Sequence, residues 1–234
     1  MSTYFIAACV FSARFPALSA RICHEMEDRG VTPVRCCLPR YKIREFEEKM
    51  PPEQRAHWAS MPDCAPYASG DTVITLCHNC ANILEETHPE VRVLSLYEYI
   101  AADPTFPLPD LHGRRYHVQD CWRAADRQGE KKAVRAILAA CGAEVVPFSG
   151  QEEDFCGVSL YRAQPPRNPA IAPRHYANVP GKFIPHTEAE QLALMQAHCA
   201  RFSHPVLCYC HYCLEGLTLG GADACHLASL LFPQ

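Results

Sequence analysis

Val73-Ile74-Thr75-Leu76-Cys77-His78-Asn79-Cys80 is matched later in the chain by Val206-Leu207-Cys208-Tyr209-Cys210-His211-Tyr212-Cys213. Each stretch is a short apolar run that reads as a buried strand and opens directly onto a C-x-x-C pair. Working outward, the same order appears around both. Thr3–Ala8 is an apolar strand candidate ending at Cys9, and Val31–Val34 is another delivering Cys36-Cys37. In the second half Tyr116–Gln119 ends at Asp120-Cys121, and Glu144–Phe148 is followed by a polar loop to Phe155-Cys156-Gly157.

Helical patterns alternate with these strands. Leu18, Ile22 and Met26 recur at i, i+4 and i+8 within Pro16–Asp28, with Gly30 as the stop. Lys42–Met50 is a polar helical stretch broken by Pro51-Pro52. Val91–Leu94 reads as a strand followed by a short helix over Leu96–Ala101. Lys131–Cys141 carries Val134, Ile137 and Leu138 on one face, Glu188–Arg201 is helical, and Cys225–Leu231 is a final short helix.

Strand–helix alternation implies an α/β class with mainly parallel sheets. The repeated order implies two similar α/β halves related by a pseudo-twofold axis. Asp103–Asp110 holds three prolines and reads as a linker, so the halves are expected at 1–112 and 113–234. A proline-rich insertion over 163–185, with six prolines, interrupts the second half.

Composition narrows the function. The 234 residues are 48% hydrophobic and 21% charged, an ordinary globular balance, and the net charge of −4 makes no electrostatic case for nucleic acid. No apolar run approaches the roughly 20 residues needed to span a bilayer. The start of the chain lacks a positive n-region, and Arg14 ends its apolar stretch, so it reads as a first strand and the expected location is cytoplasmic.

Fifteen cysteines is a high and odd count for a long chain without a secretion signal. Metal thiolate ligation therefore accounts for them better than a disulfide framework. Groups at the carboxyl ends of parallel strands gather on one edge of a sheet. That rule brings Cys9, Cys36, Cys37, Cys77 and Cys80 together in the first half. Cys121, Cys156, Cys210 and Cys213 form the matching set in the second. Thiolates gathered so closely repel unless cations bridge them, and soft thiolates favour iron–sulfur clusters, zinc or Cu(I).

The layout resembles the cysteine-rich CCG domain family, which includes the non-cubane-cluster subunit of heterodisulfide reductase and iron–sulfur subunits of lactate and glycolate oxidation systems. Its repeat is a cysteine, then Cys-Cys-Gly, then C-x-x-C, and the resemblance covers essentially the whole chain as two repeats. It implies that Cys9, Cys36, Cys37, Cys77 and Cys80 hold a non-cubane [4Fe–4S] cluster. It implies an oxidoreductase subunit that reduces a small disulfide or passes electrons within a larger complex of anaerobic metabolism. The partners implied are a ferredoxin-like iron–sulfur subunit or a flavoprotein, because the chain has neither the tight cysteine run of cubane ferredoxins nor a G-x-G-x-x-G fingerprint.

The two repeats depart from that pattern in opposite ways. Cys36-Cys37-Leu38 keeps both thiols and loses the glycine, whereas Phe155-Cys156-Gly157 keeps the glycine and loses a thiol. Four thiols suit a cubane [4Fe–4S] cluster or a tetrahedral zinc, and an empty site is a third alternative; Cys208 or Cys141 is a candidate fifth ligand. The rival function is a zinc-stabilised assembly subunit without its own redox centre. Cys23, Cys64, Cys141, Cys199 and Cys225 fall outside the repeat and read as small buried hydrophobes. His78 and His211 read either as tuners of the sulfurs or as helix-terminal groups. His226 reads as a polar group at a helix N-terminus. Asp120, Trp122 and Arg123 are candidate substrate contacts, with packing as the simpler role for Trp122.

Overall fold

The computed structural model describes residues 1–39, 46–64, 67–151, 153–163, 167–177 and 179–233. The chain divides into two compact units, Met1–Tyr99 and Ile100–Pro233. Each is an α/β unit built on its own four-stranded parallel sheet.

In the first unit the elements run β1 (Thr3–Ile6), α1 (Cys9–Arg14), α2 (Pro16–Asp28), β2 (Thr32–Val34), α3 (Pro52–Ser60), β3 (Thr72–Thr75), α4 (His78–Thr87), β4 (Arg92–Ser95) and α5 (Leu96–Ala102), which crosses into the second unit. The sheet order is β2-β1-β3-β4. Register pairs Tyr4 with both Thr32 and Val73, so the strands end at one edge and their following residues gather there. The apolar stripe of α2 is buried as its spacing requires, with Ile22 and Met26 fully enclosed, as are Phe5, Ile6, Ile74 and Trp58 of the same unit's core.

In the second unit β5 (Arg115–Gln119), a 3-10 turn over Trp122–Ala124, α6 (Gln128–Ala140) and β6 (Glu144–Val145) precede the proline-rich segment. That segment contains a short 3-10 turn at Asn168–Ala170 and one turn of helix, α7 (Val179–Lys182). Then follow α8 (Glu188–Cys199), β7 (Val206–Cys208), α9 (His211–Leu219), β8 (Ala224–His226) and α10 (Leu227–Leu231). The sheet order is β6-β5-β7-β8, all parallel. Counted within each unit, both sheets therefore read 2-1-3-4. The repeated sequence order is a repeated topology.

Local differences from the sequence reading have physical causes. The strand expected to reach Ala8 ends at Ile6, and Cys9 opens helix α1 instead. Pro51-Pro52, read as a break, starts α3, because a proline in the first helical turn has no intrahelical N–H to lose. The strand expected over Glu144–Phe148 is cut short: Val146 still donates to the Tyr116 carbonyl at 2.8 Å, but its own carbonyl meets the His117 ring at Nδ1, 2.8 Å away, instead of continuing the ladder. Thr187 and Glu190 form a reciprocal capping box that starts α8, a T-x-x-E signal present in the sequence. Cys225, expected in a helix, lies in β8; His226 then caps α10 by accepting from the Ala228 N–H. Of the helix expected over Lys42–Met50, residues 42–45 lie outside the described residues.

Candidate metal centre

In a parallel sheet read 2-1-3-4, the connections from the first and third strands leave on opposite sides, and a crevice opens between them at the carboxyl edge. Cys121 lies two residues beyond the end of β5, and Cys210 two beyond the end of β7, its neighbour in the sheet. Cys210 occupies the N-cap of α9 and Cys213 the third helical position, so one helix start presents both sulfurs. The unpaired N–H groups and positive dipole end of a helix favour thiolate there. Cys77 and Cys80 hold the same places on α4.

Cys156 reaches the second-unit set through a close backbone approach. Gly157 sits at φ +55°, and a Cβ built on it meets the Tyr212 carbonyl oxygen at 2.0 Å. A Cβ on Gly216 would meet the Gly157 Cα at 2.3 Å. Two glycines facing one another thus let the Cys156 turn press onto α9. Phe155 stands where the first repeat has Cys36. Its ring stacks on His198, with centroids 4.1 Å apart and planes at 11°, while its carbonyl accepts from the Trp122 N–H at 2.8 Å.

The result is four buried sulfurs, those of Cys121, Cys156, Cys210 and Cys213, all within 4.8 Å of one another. The Cys121 and Cys156 sulfurs are 3.6 Å apart. Four thiolates about 2.3 Å from one ion, at the corners of a tetrahedron, stand about 3.8 Å apart. Four soft sulfurs drawn this close could hold a metal ion or an iron–sulfur cluster. Cys208 and Cys141, the candidate fifth ligands, are not in the group. The Cys208 sulfur is buried and faces the carbonyls of Cys210 and Cys225 at 3.8 and 3.7 Å.

Charge favours ionised sulfur at one position in particular. Burial works against the thiolate of Cys156, but hydrogen bonds with Cys121 and Cys213 and the Arg123 charge outweigh it and hold its pKa below the ordinary thiol value. Burial, followed by hydrogen bonds with Cys156 and Cys210, pushes Cys121 up, and burial with hydrogen bonds to Cys121, Cys156 and Cys210 does the same to Cys213. The Arg123 guanidinium donates to the Cys156 sulfur at 2.5 Å and to Ser159 Oγ at 2.9 Å. Arg123 is thus turned inward, whereas Asp120 is half-buried and lines a cleft beside Cys121. Arg135 grips both oxygens of Asp120 at 2.7 and 2.8 Å, and Tyr209 donates to one of them at 2.6 Å. This brace joins the residue before Cys121 to the residue before Cys210. The cleft beside Cys121 has a volume of about 420 Å³ and is lined in part by Trp122, Lys131 and Glu153.

The first-unit thiols are arranged differently. Cys36 shares a hydrogen bond with Cys9, which with burial raises its pKa. Cys80 shares hydrogen bonds with Cys37 and Cys77, which likewise raise it. Among the described residues the four-cysteine group of the second unit is the one drawn closely around one point. Leu38 stands where the second repeat has its glycine and is half-buried. Cys64, read as a buried hydrophobe, is half-buried, and burial followed by the Asp63 charge pushes its thiol up to about 11. Its loop is tied to the Cys36–Cys37 turn by the Arg35 N–H donating to the Pro62 carbonyl at 3.0 Å. Cys23 and Cys141 are buried, Cys199 and Cys225 half-buried, and all fifteen cysteines carry free thiols.

The sequence reading missed the work of Gly216, Ser159 and Arg135. Only Gly216 left a signal, as a glycine inside a helical stretch where close approach is the usual cause. Among the described residues no helix is long and apolar enough to cross a membrane. No protein-family model matches the chain, and no curated protein is significantly similar to it.

Proposed function

We propose that the chain is an iron–sulfur redox subunit, resembling the non-cubane-cluster subunit of heterodisulfide reductase, whose two thiol sites have diverged. The second unit holds one tetrahedral zinc ion on Cys121, Cys156, Cys210 and Cys213. The first unit holds the iron–sulfur cluster on Cys9, Cys36, Cys37, Cys77 and Cys80.

The observation that carries this reading is the contrast in thiol packing. Four sulfurs lie mutually within 4.8 Å in one unit, whereas among the described residues the five thiols of the other form no such group, although Cys36 bonds to Cys9 and Cys80 to Cys37 and Cys77. A bound cluster supplies one-electron transfer and a Lewis-acidic iron for a released thiolate. The chain's own part is to hold the ligands: the N-terminus of α4 faces Cys77 and Cys80, and burial of all but Cys9 excludes water from the sulfurs. Electrons come from a partner flavoprotein or ferredoxin-like subunit, and a small disulfide is the terminal acceptor.

The test is anaerobic purification with zinc, iron and acid-labile sulfide analysis, together with EPR of the reduced and oxidised protein. One zinc per chain with iron and sulfide, and loss of iron but not zinc in Cys37→Ala, is the expected result. Zinc alone, with no sulfide, overturns the redox reading and leaves the second one: a zinc-stabilised assembly subunit. The tight four-thiol packing and Leu38 in place of glycine are the observations that favour that rival.

A further inference from the structure

We propose that Arg123 is a positioning residue that supplies the fixed counter-charge of the four-thiol centre and sets how tightly that centre holds a divalent ion. The inference rests on the metal reading of the second unit.

Arg123 is 8% exposed, and its guanidinium lies 5.5 Å from the Trp122 ring and 5.6 Å from the Tyr212 ring. A cation taken this far out of water costs several kcal/mol unless an opposite charge accompanies it. Its hydrogen-bond partners among the described residues are the Cys156 sulfur and the Ser159 hydroxyl, and no carboxylate is among them. Its Nε is buried with no hydrogen-bond partner. The charge that balances it is therefore sulfur. Four thiolates around a divalent ion carry two net negative charges, and such a dianion is costly in a dry site. Arg123 removes one of them, and the N-terminus of α9 reduces the remainder.

A shared donor nitrogen adds direction. The same Nη1 that meets the Cys156 sulfur meets Ser159, three residues further along, so the guanidinium clamps the turn that carries the ligand. The two flanking rings hold the planar group in place, which a lysine ammonium does less well. A hydrogen bond from a cation also withdraws charge from a thiolate, making it a poorer donor to the metal. That electronic effect is separate from packing and can be read by spectroscopy.

The experiment uses the full chain, with Zn²⁺ in competition with a chelator and Co²⁺ as the optical probe, at one pH throughout. Arg123→Met is expected to weaken Zn²⁺ binding about 10- to 100-fold, the usual effect of removing a group that orients a ligand. It is also expected to move the thiolate-to-cobalt charge-transfer band to lower energy while the bands of tetrahedral cobalt persist. Arg123→Lys, which keeps the charge, recovers part of both. Wild-type affinity and an unmoved band in Arg123→Met overturn the inference, as does a Lys variant as weak as the Met variant with both bands unmoved. If Arg123→Met does not fold, Arg123→Lys alone decides: binding within about tenfold of wild type supports the inference, and a loss beyond about 100-fold overturns it. A wild-type protein whose second unit takes up no cobalt defeats the metal reading itself, an outcome distinct from equal binding by wild type and variants.

Discussion

Replacing Gly157 with alanine tests whether the approach of two backbones sets the metal centre. At φ +55° an alanine carries a left-handed penalty of about 1 kcal/mol. Its Cβ would also sit 2.0 Å from the Tyr212 carbonyl oxygen. An ordinary carbon–oxygen contact is about 3.3 Å, so the Cys156 turn and α9 must part by about 1.3 Å. A metal site tolerates distance changes of about 0.2 Å. The metal-free protein can relax by letting the turn lift, but the loaded protein cannot without stretching a bond between Cys156 and the ion. The φ penalty therefore falls on both forms, while the steric cost, about 2 kcal/mol for overpacking, falls on the loaded one. Zinc affinity should drop about 30-fold or more.

Gly221→Ala is the control. Gly221 has φ +83°, with nothing within 4 Å of a built Cβ. It should lose about 1 kcal/mol of stability and no zinc affinity. Chelator competition measures affinity, and denaturant melts of the metal-free proteins measure stability. If Gly157→Ala binds zinc as tightly as Gly221→Ala, the close approach does not shape the site, and the reasoning fails.

Asp120→Ala strands the Arg135 guanidinium and the Tyr209 hydroxyl; it should cost about 2 kcal/mol in urea melts and weaken zinc binding, whereas equal stability would show the brace to be ornamental. Thr187→Ala removes half of a capping box and should lower stability by about 1 kcal/mol without touching metal affinity. His198 is buried, and burial followed by the nearby Arg201 charge lowers its pKa to about 4, with Glu153 opposing. The unfolded chain, near pKa 6.5, then binds more protons than the folded one between these values. Stability is complete above about pH 6.5, and about 3 kcal/mol of it disappears as the pH falls towards 4. His198→Gln should flatten that slope in pH-dependent melts, and an unchanged slope would assign the loss to other groups.

Much of the fold was legible because its signals are local. Apolar runs such as Val73–Leu76 and Val206–Tyr209 announce buried strands, and the i, i+4, i+8 stripe of Leu18, Ile22 and Met26 announces a helix. Element ends were less legible. Pro52 starts α3 where the double proline reads as a break, and β6 stops at Val145 with the Val146 carbonyl turned to the His117 ring. The nine candidate ligands were legible as strand-end thiols, but their grouping was not. The five-cysteine half looked like the more complete site, yet among the described residues it is the half with the missing thiol that draws four sulfurs around a point.

By itself the sequence determined the repeated α/β order and the delivery of thiols to the ends of parallel strands, since both follow from nearest-neighbour patterns along the chain. Only the tertiary structure decided how far apart those thiols stand. That distance depends on Gly157 meeting Gly216 across 59 positions and on Arg123 turning inward against Cys156. A ligand site is defined by spacing of a few tenths of an ångström, which a count of cysteines does not carry.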